Sequence, residues 1–315
     1  MPDEAQIPLC PVSGRPAARH IQWVSARLLM DLWRIEFKTD ARPAFRGIDR
    51  FGLWESPLGL YFFDPKVEGD RAFYVQFYSR VQELGLFSQR PIRQEFTKAA
   101  RRIKSGARVL DVGCGLAHFR SCLTGASYTG LDPNFAECGG AGELRSESLA
   151  QHLIEHAGEY DAVCAFQVIE HVKFPAELFL QMVQAAKPGG LIFAGVPHVP
   201  SSLTRIPNFV MNAPPHHLTW WTKSALAELA NGAGASVETI EHVPWGIDDS
   251  LIYWVERCTP IKCNGEYFRG AWSWHAACAF GLIGGLLAHR LAGVPSPGGE
   301  GAGLLLTARR AMDAN

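Results

Sequence analysis

From about residue 107 the chain alternates short apolar runs with longer amphipathic ones, and that alternation leaves few folds open. ARVLDVG (107–113), SYTGLD (127–132), YDAVCAFQVI (160–169) and LIFAGVP (191–197) read as buried strands, with a short third strand at 143–148. PAELFLQMVQAAK is a helix whose Pro175 suits a first-turn position, and KPGG stops it. TKSALAELANGAG (222–234) is a further helix, with Thr222 as N-cap and a terminal glycine. SVETIEHV follows as a sixth strand and GAGLLLTARR (301–310) as a seventh. Apolar strands separated by helices build a mostly parallel sheet covered on both faces. The fold class is therefore α/β, with a doubly wound seven-stranded sheet.

With 315 residues, the chain has room for one large domain and a smaller appendage. Apolar residues make up 47% and charged residues 19%, with a formal net charge of -1, so no electrostatic track for nucleic acid is expected. The cations Arg101, Arg102 and Lys104 read as a solvated helix end. Eight cysteines are scattered without a regular framework, which fits reduced thiols in the cytoplasm. The opening MPDEAQIPLC has no apolar core of the signal-peptide kind.

The strand ARVLDVG runs into a glycine turn at Gly113, Cys114 and Gly115. Asp132 ends the next strand, 21 residues after Asp111, where an acid can accept hydrogen bonds from ribose hydroxyls. The third glycine of the dinucleotide fingerprint is missing, since Ala117 and His118 follow the pair. Asp111 before the glycines disfavours a phosphate and favours a cationic ligand.

VLDVGCG, LDPN, YDAVCAFQVIEHV and KPGGLIFAGVP, in that order and spacing, resemble the class I S-adenosylmethionine (SAM)-dependent methyltransferases over about residues 107–245 and again at 301–310. The resemblance implies a Rossmann-like sheet with a reversed C-terminal hairpin, and SAM as cofactor. It lays Asp111, Gly113, Cys114 and Gly115 against the amino-acid portion of SAM and Asp132 against the ribose. Glu147 is the nearest candidate for holding the adenine, though a surface glutamate explains it equally well; Pro133, Phe166 and Gln167 complete the cofactor-binding set. A nicotinamide dehydrogenase would need the third glycine and would lack the hairpin.

IEHV together with HHLTWWT is similar to the subgroup of ubiquinone-biosynthesis O-methyltransferases and glycan methyltransferases. In the ubiquinone enzymes an acid followed by Glu-His has been linked to a divalent metal. Here Gln167 stands in the acid's place, so no metal is expected. Methyl transfer is an in-line displacement in which most of the work is positioning. An alcohol acceptor also loses a proton, and histidine is the natural base near neutral pH. His171 and His216 are the base candidates, with His217 and His198 as neighbours and His118 beside the glycine turn; Trp220 and Trp221 could stack on an acceptor ring. The expected activity is O-methylation of a small-molecule, glycan or lipid-linked acceptor. The alternatives are N- or C-methylation, or a SAM-binding relic without catalysis.

Two segments lie outside this pattern. CPVSGR (10–15) and WESPLGLYFFDP (54–65) are similar to the two halves of a zinc ribbon, but only Cys10 remains of the cysteines, so a degenerate ribbon without zinc is expected in residues 1–66. Residues 1–65 otherwise look irregular, and 67–106 read as a helical linker ahead of the 107–315 domain. An insertion at 246–300 holds AWSWHAACAFGLIGGLLA (271–288), nearly long enough to span a bilayer. The seventh strand must return to the same sheet, so a lid over the acceptor pocket is expected, with a membrane-surface or dimer contact as alternatives. The location is expected to be cytoplasmic, at most peripheral to a membrane.

Overall fold

The computed structural model describes residues 7–85, 93–133, 144–247, 249–295 and 300–312. Its N-terminal part is more regular than expected. Strands β1 (Arg19–Ser25), β2 (Arg50–Glu55) and β3 (Tyr61–Asp64) form an antiparallel sheet, and helix α1 (Ala26–Phe37) follows β1. Ser25 caps α1 by accepting the Leu28 N–H, and Leu29, Leu32, Trp33 and Phe37 put one apolar face into the core. Lys38, in the left-handed region, ends the helix. Helix α2 (Arg71–Glu83), capped by Asp70, lays Phe73 and Phe77 against Trp33 at ring distances of 5.0 and 5.5 Å. Helix α3 (Gln94–Ala100) leads to the main sheet. A tight turn joins Cys10 to Arg15, and buried Cys10 packs in the same apolar cluster as Trp54. No zinc ribbon is shown.

The main domain runs β4 (Arg108–Val112), β5 (Ser127–Leu131), β6 (Leu144–Arg145), α4 (Leu149–His156), β7 (Tyr160–Phe166), α5 (Pro175–Ala185) and β8 (Ala186–Pro197). The short α6 (Ser202–Arg205) and β9 (Thr219–Trp220) precede α7 (Lys223–Gly232) and β10 (Ala235–Pro244). Helices α8 (Ser250–Cys258) and α9 (Trp272–Ala292) fill the insertion before β11 (Glu300–Arg310). The sheet order is β10-β11-β8-β7-β4-β5-β6, with β11 antiparallel to both neighbours. The seven strands and the reversed hairpin are as the sequence implies. Chain order reverses between β4 and β7, and in such sheets ligands bind beyond the carboxyl ends at that point.

β9 leaves this sheet and pairs with β3, Tyr61 opposite Trp220 and Phe62 opposite Thr219. The N-terminal strands and the main domain thus share hydrogen bonds across the boundary drawn at residue 66. In the insertion, α9 packs on α8 through glycines: a Cβ at Gly285 would lie 2.7 Å from the Val255 backbone. Its other sides are open, with Trp272, Phe280, Ile283, Leu287 and Leu291 exposed.

Candidate active site

The glycine turn at the end of β4 is built by a shared carbonyl. The N–H groups of Gly113 and Cys114 both donate to Leu131 O, at 2.7 and 3.0 Å. Gly113 has φ +66°, and a Cβ there would meet Val168 Cγ2 at 2.6 Å, so the turn requires glycine. Gly115 has φ +51° with nothing within 4 Å of a Cβ position, which leaves open space over the turn. Its N–H donates to the Asp132 carboxylate at 3.1 Å, bringing the acid that ends β5 to the rim of that space.

Asp111 sits beneath the turn, only 3% exposed, and the Tyr128 hydroxyl donates to its carboxylate at 2.7 Å. Burial, with a smaller contribution from the charge of Asp132, pushes the Asp111 carboxyl up to about 7 despite that hydrogen bond. The expectation of an acid standing openly before the glycines is corrected to one sealed under them. The Cys114 thiol is pushed up to about 12 by burial and is no nucleophile. Pro133 is exposed beside Asp132, and Phe166 packs on Phe96 and Phe119 at 4.9 Å. Glu147 follows β6, its carboxylate held by His152 at 2.8 Å and by Arg145 at 3.5 Å. The open space at Gly115, the rimming carboxylate and the absence of a phosphate cradle fit a ligand with a ribose and positive charge.

At the same edge of the sheet a cavity of about 130 Å³ is lined by His171, His216 and His217 together with Gln167, Tyr78 and Ile252. The loop after β8 carries two of the histidines inward, and the rings gather at centroid distances of 4.4 to 4.8 Å. Each Nδ1–H donates to an oxygen that can only accept: His171 to His216 O at 2.6 Å, His216 to Met211 O at 2.9 Å, and His217 to Asn212 Oδ1 at 3.1 Å. Asn212 is oriented by its own amide donating to Leu203 O. The tautomers are thereby fixed, with a lone pair on every Nε2. Burial pushes His171 down to about 4 and holds His216 and His217 well below the usual imidazole range, so all three are neutral at pH 7.

The structure thus brings together the three committed histidines but not the others. His198 stands apart beside His242, at 4.7 Å, in a second cavity of about 160 Å³. His118 opens a short helical turn after the glycine loop. Trp220 and Trp221 are corrected to core residues: both are buried, and the Trp220 indole N–H donates to Asn212 O at 2.8 Å. The lid reading is corrected in part, because α8 lines the cavity through Ile252 whereas α9 lies behind α8.

Sequence reasoning missed Arg93 and Glu95 at the start of α3, which line the cavity 3.6 Å apart. Gln167, with φ +58°, donates its side-chain amide to Glu95 at 3.3 Å. No motif marks α3; the one available signal was its position just ahead of the first parallel strand.

A seven-stranded sheet with a reversed hairpin, a glycine turn and a ribose-facing acid defines the class I SAM-dependent methyltransferases. Residues 85–240 match the family described as a methyltransferase domain. The ubiquinone biosynthesis O-methyltransferase of Escherichia coli is 36% identical over 100 residues, covering 28% of this chain and 42% of that protein. The protein of the same name from Shigella boydii is 35% identical with the same coverage. The chain therefore spans less than half the length of the curated relatives it matches. Among solved structures, a SAM-dependent methyltransferase from Archaeoglobus fulgidus has a TM-score of 0.46 at 18% identity, covering 74% of this chain and 100% of that one. A Burkholderia thailandensis 1,6-didemethyltoxoflavin-N1-methyltransferase with bound S-adenosylhomocysteine has a TM-score of 0.46 at 14% identity, covering 76% and 87%. The chain carries a class I SAM-dependent methyltransferase domain, and its cofactor is SAM.

Proposed function

We propose that this protein transfers a methyl group from SAM to a hydroxyl of a small-molecule acceptor bound in the histidine-lined cavity. The observation that carries the reading is the set of three neutral imidazoles whose Nε2 lone pairs face one cavity, at the sheet edge where the glycine turn opens. SAM supplies a methyl carbon activated by positive sulfur. Asp132 holds the ribose, and the space at Gly115 admits the amino-acid portion beside the turn. His171, the most accessible of the three, takes the hydroxyl proton as the oxygen attacks. A positioned base is worth about 10²–10⁴-fold. Phe77 and Tyr78 from α2 and Ile252 from α8 give the cavity apolar walls that suit an aromatic or lipid-linked acceptor.

The acceptor's character also accounts for α9. No Asp, Glu, Lys or Arg lies between Arg269 and Arg290, and the exposed sides of the helix are apolar while its ends carry cations. Helix α9 is the one described helix long and apolar enough to cross a membrane. Because β11 returns to the central sheet, the helix would lie in the surface of an anionic bilayer and deliver the protein to a lipid-borne acceptor. Incubation with methyl-labelled SAM and a panel of phenolic, quinol and sugar acceptors tests the function. Label on an acceptor oxygen supports it, and label on nitrogen or carbon alone contradicts it.

A further inference from the structure

The three imidazoles have a second property that a base does not require. In each ring the Nδ1–H is committed to a carbonyl oxygen, two from the backbone and one from Asn212, so the nitrogen left over is Nε2 in all three. That is how metal-binding histidines are held: the outer oxygen fixes the tautomer, aims the ring and raises the basicity of the inner nitrogen. One ring nitrogen from each residue lies within 4.8 Å of the other two, and no other such group occurs among the described residues. Beside them stands Glu170, 0% exposed, with neither carboxylate oxygen hydrogen-bonded to any described residue; Oε1 lies 3.8 Å from His171 Nε2. A buried carboxylate without a donor is costly, and it is normally explained by a missing cation or an ion pair.

We propose that His171, His216 and His217 form a three-histidine site for one divalent transition-metal ion, with Glu170 as the neighbouring carboxylate. Three imidazoles select the zinc, cobalt, nickel and iron group rather than magnesium or calcium, which prefer oxygen. Metal–nitrogen bonds of about 2.0–2.1 Å put tetrahedral ligands roughly 3.4 Å apart, so the rings must close by on the order of 1 Å on binding. The cavity leaves a position free for water or an acceptor oxygen, as open sites do. The donor set differs from the acid and Glu-His pattern of the ubiquinone enzymes, because Gln167 is tied to Glu95. With the ion bound the Nε2 lone pairs are engaged, so base and metal roles belong to two loading states of one cluster.

The site is tested with the full chain, stripped with chelator and titrated with Co2+ alone in the absence of SAM and acceptor. The expected result is one ion per chain at micromolar affinity, with visible d–d absorption of four- or five-coordinate cobalt and no thiolate charge-transfer band. His216→Gln and His217→Gln each weaken binding by about 100-fold or more. Asn212→Ala, which touches no ion, weakens it about 10- to 100-fold by freeing the His217 ring, while Gln167→Ala leaves it within about twofold. Melting of each variant in chelator checks that it is folded. The unaltered protein supplies a result that does not depend on any variant. Failure to bind Co2+ below millimolar concentration, six-coordinate cobalt, or affinity unchanged in both histidine variants overturns the proposal. Binding without methyl transfer leaves the site standing and removes the functional reading.

Discussion

The two halves of the site are made in different ways. The cofactor half comes from one continuous stretch, β4 to β7, in which the turn, Asp111 and Asp132 are placed by neighbours a few residues or one strand away. The acceptor half is gathered from the N-terminal helices, α3, the loop after β8 and α8. His216 is walled by Phe77 at 4.8 Å and Trp33 at 5.9 Å, and the Trp33 indole N–H donates across 181 residues of sequence to Pro214 O at 2.9 Å. Local backbone geometry thus makes the first half, and long-range packing makes the second. The N-terminal module is therefore a wall of the active site rather than an appendage.

Damage to the two halves should separate cleanly, and the largest effect is expected at the base. His171→Ala should lower methyl transfer about 10²–10⁴-fold with SAM affinity nearly unchanged, as read by single-turnover kinetics and calorimetry. A parallel loss of SAM binding would mean that the halves are not distinct. Trp33→Ala, at a fully buried position, should cost about 3–5 kcal/mol of stability and depress turnover through His216 while sparing SAM affinity. Unfolding curves and acceptor KM check this, and an effect confined to SAM binding would break the comparison.

Smaller effects sharpen it further. The Asp111 carboxyl is raised in the folded protein, so its contribution to stability is fully present below about pH 4 and is lost as pH rises through about 7. Cofactor-free protein should lose up to about 1.4 kcal/mol per pH unit from this group between pH 5 and 7. Asp111→Asn should remove that component, and the difference between the two pH–stability profiles measures it. Last, flotation with anionic vesicles should carry the protein upward, and Leu287→Asp should reduce the bound fraction several-fold without altering turnover on a soluble acceptor. Unchanged flotation together with a dimer that dissociates in this variant would assign the α9 face to a second copy instead.

The same division decides what was legible. Val109, Leu110, Val163 and Ile192 are fully buried in runs whose apolar pattern announces strands, and Gly113 and Gly115 mark a turn that needs positive φ. β1, β2 and β3 escaped because Pro, Trp and Phe crowd the N-terminal stretch, and because their sheet is completed by β9, a partner more than 150 residues distant in the chain. The three histidines could be named from their motifs, but their convergence could not, since it rests on Asn212, Met211 and Trp33. Arg93 and Glu95 lie on a helix without a motif, and only folding shows them on the cavity.

The central claim is that the turn after β4 holds a positively charged sulfur compound whose ribose rests on Asp132. Calorimetry with SAM and with NAD, on the unaltered chain and on Asp132→Ala, tests it most directly. Saturable SAM binding that weakens about 100-fold or more in the variant, with no NAD binding, is the predicted result. NAD binding alone, or SAM affinity untouched by the loss of Asp132, would contradict the account.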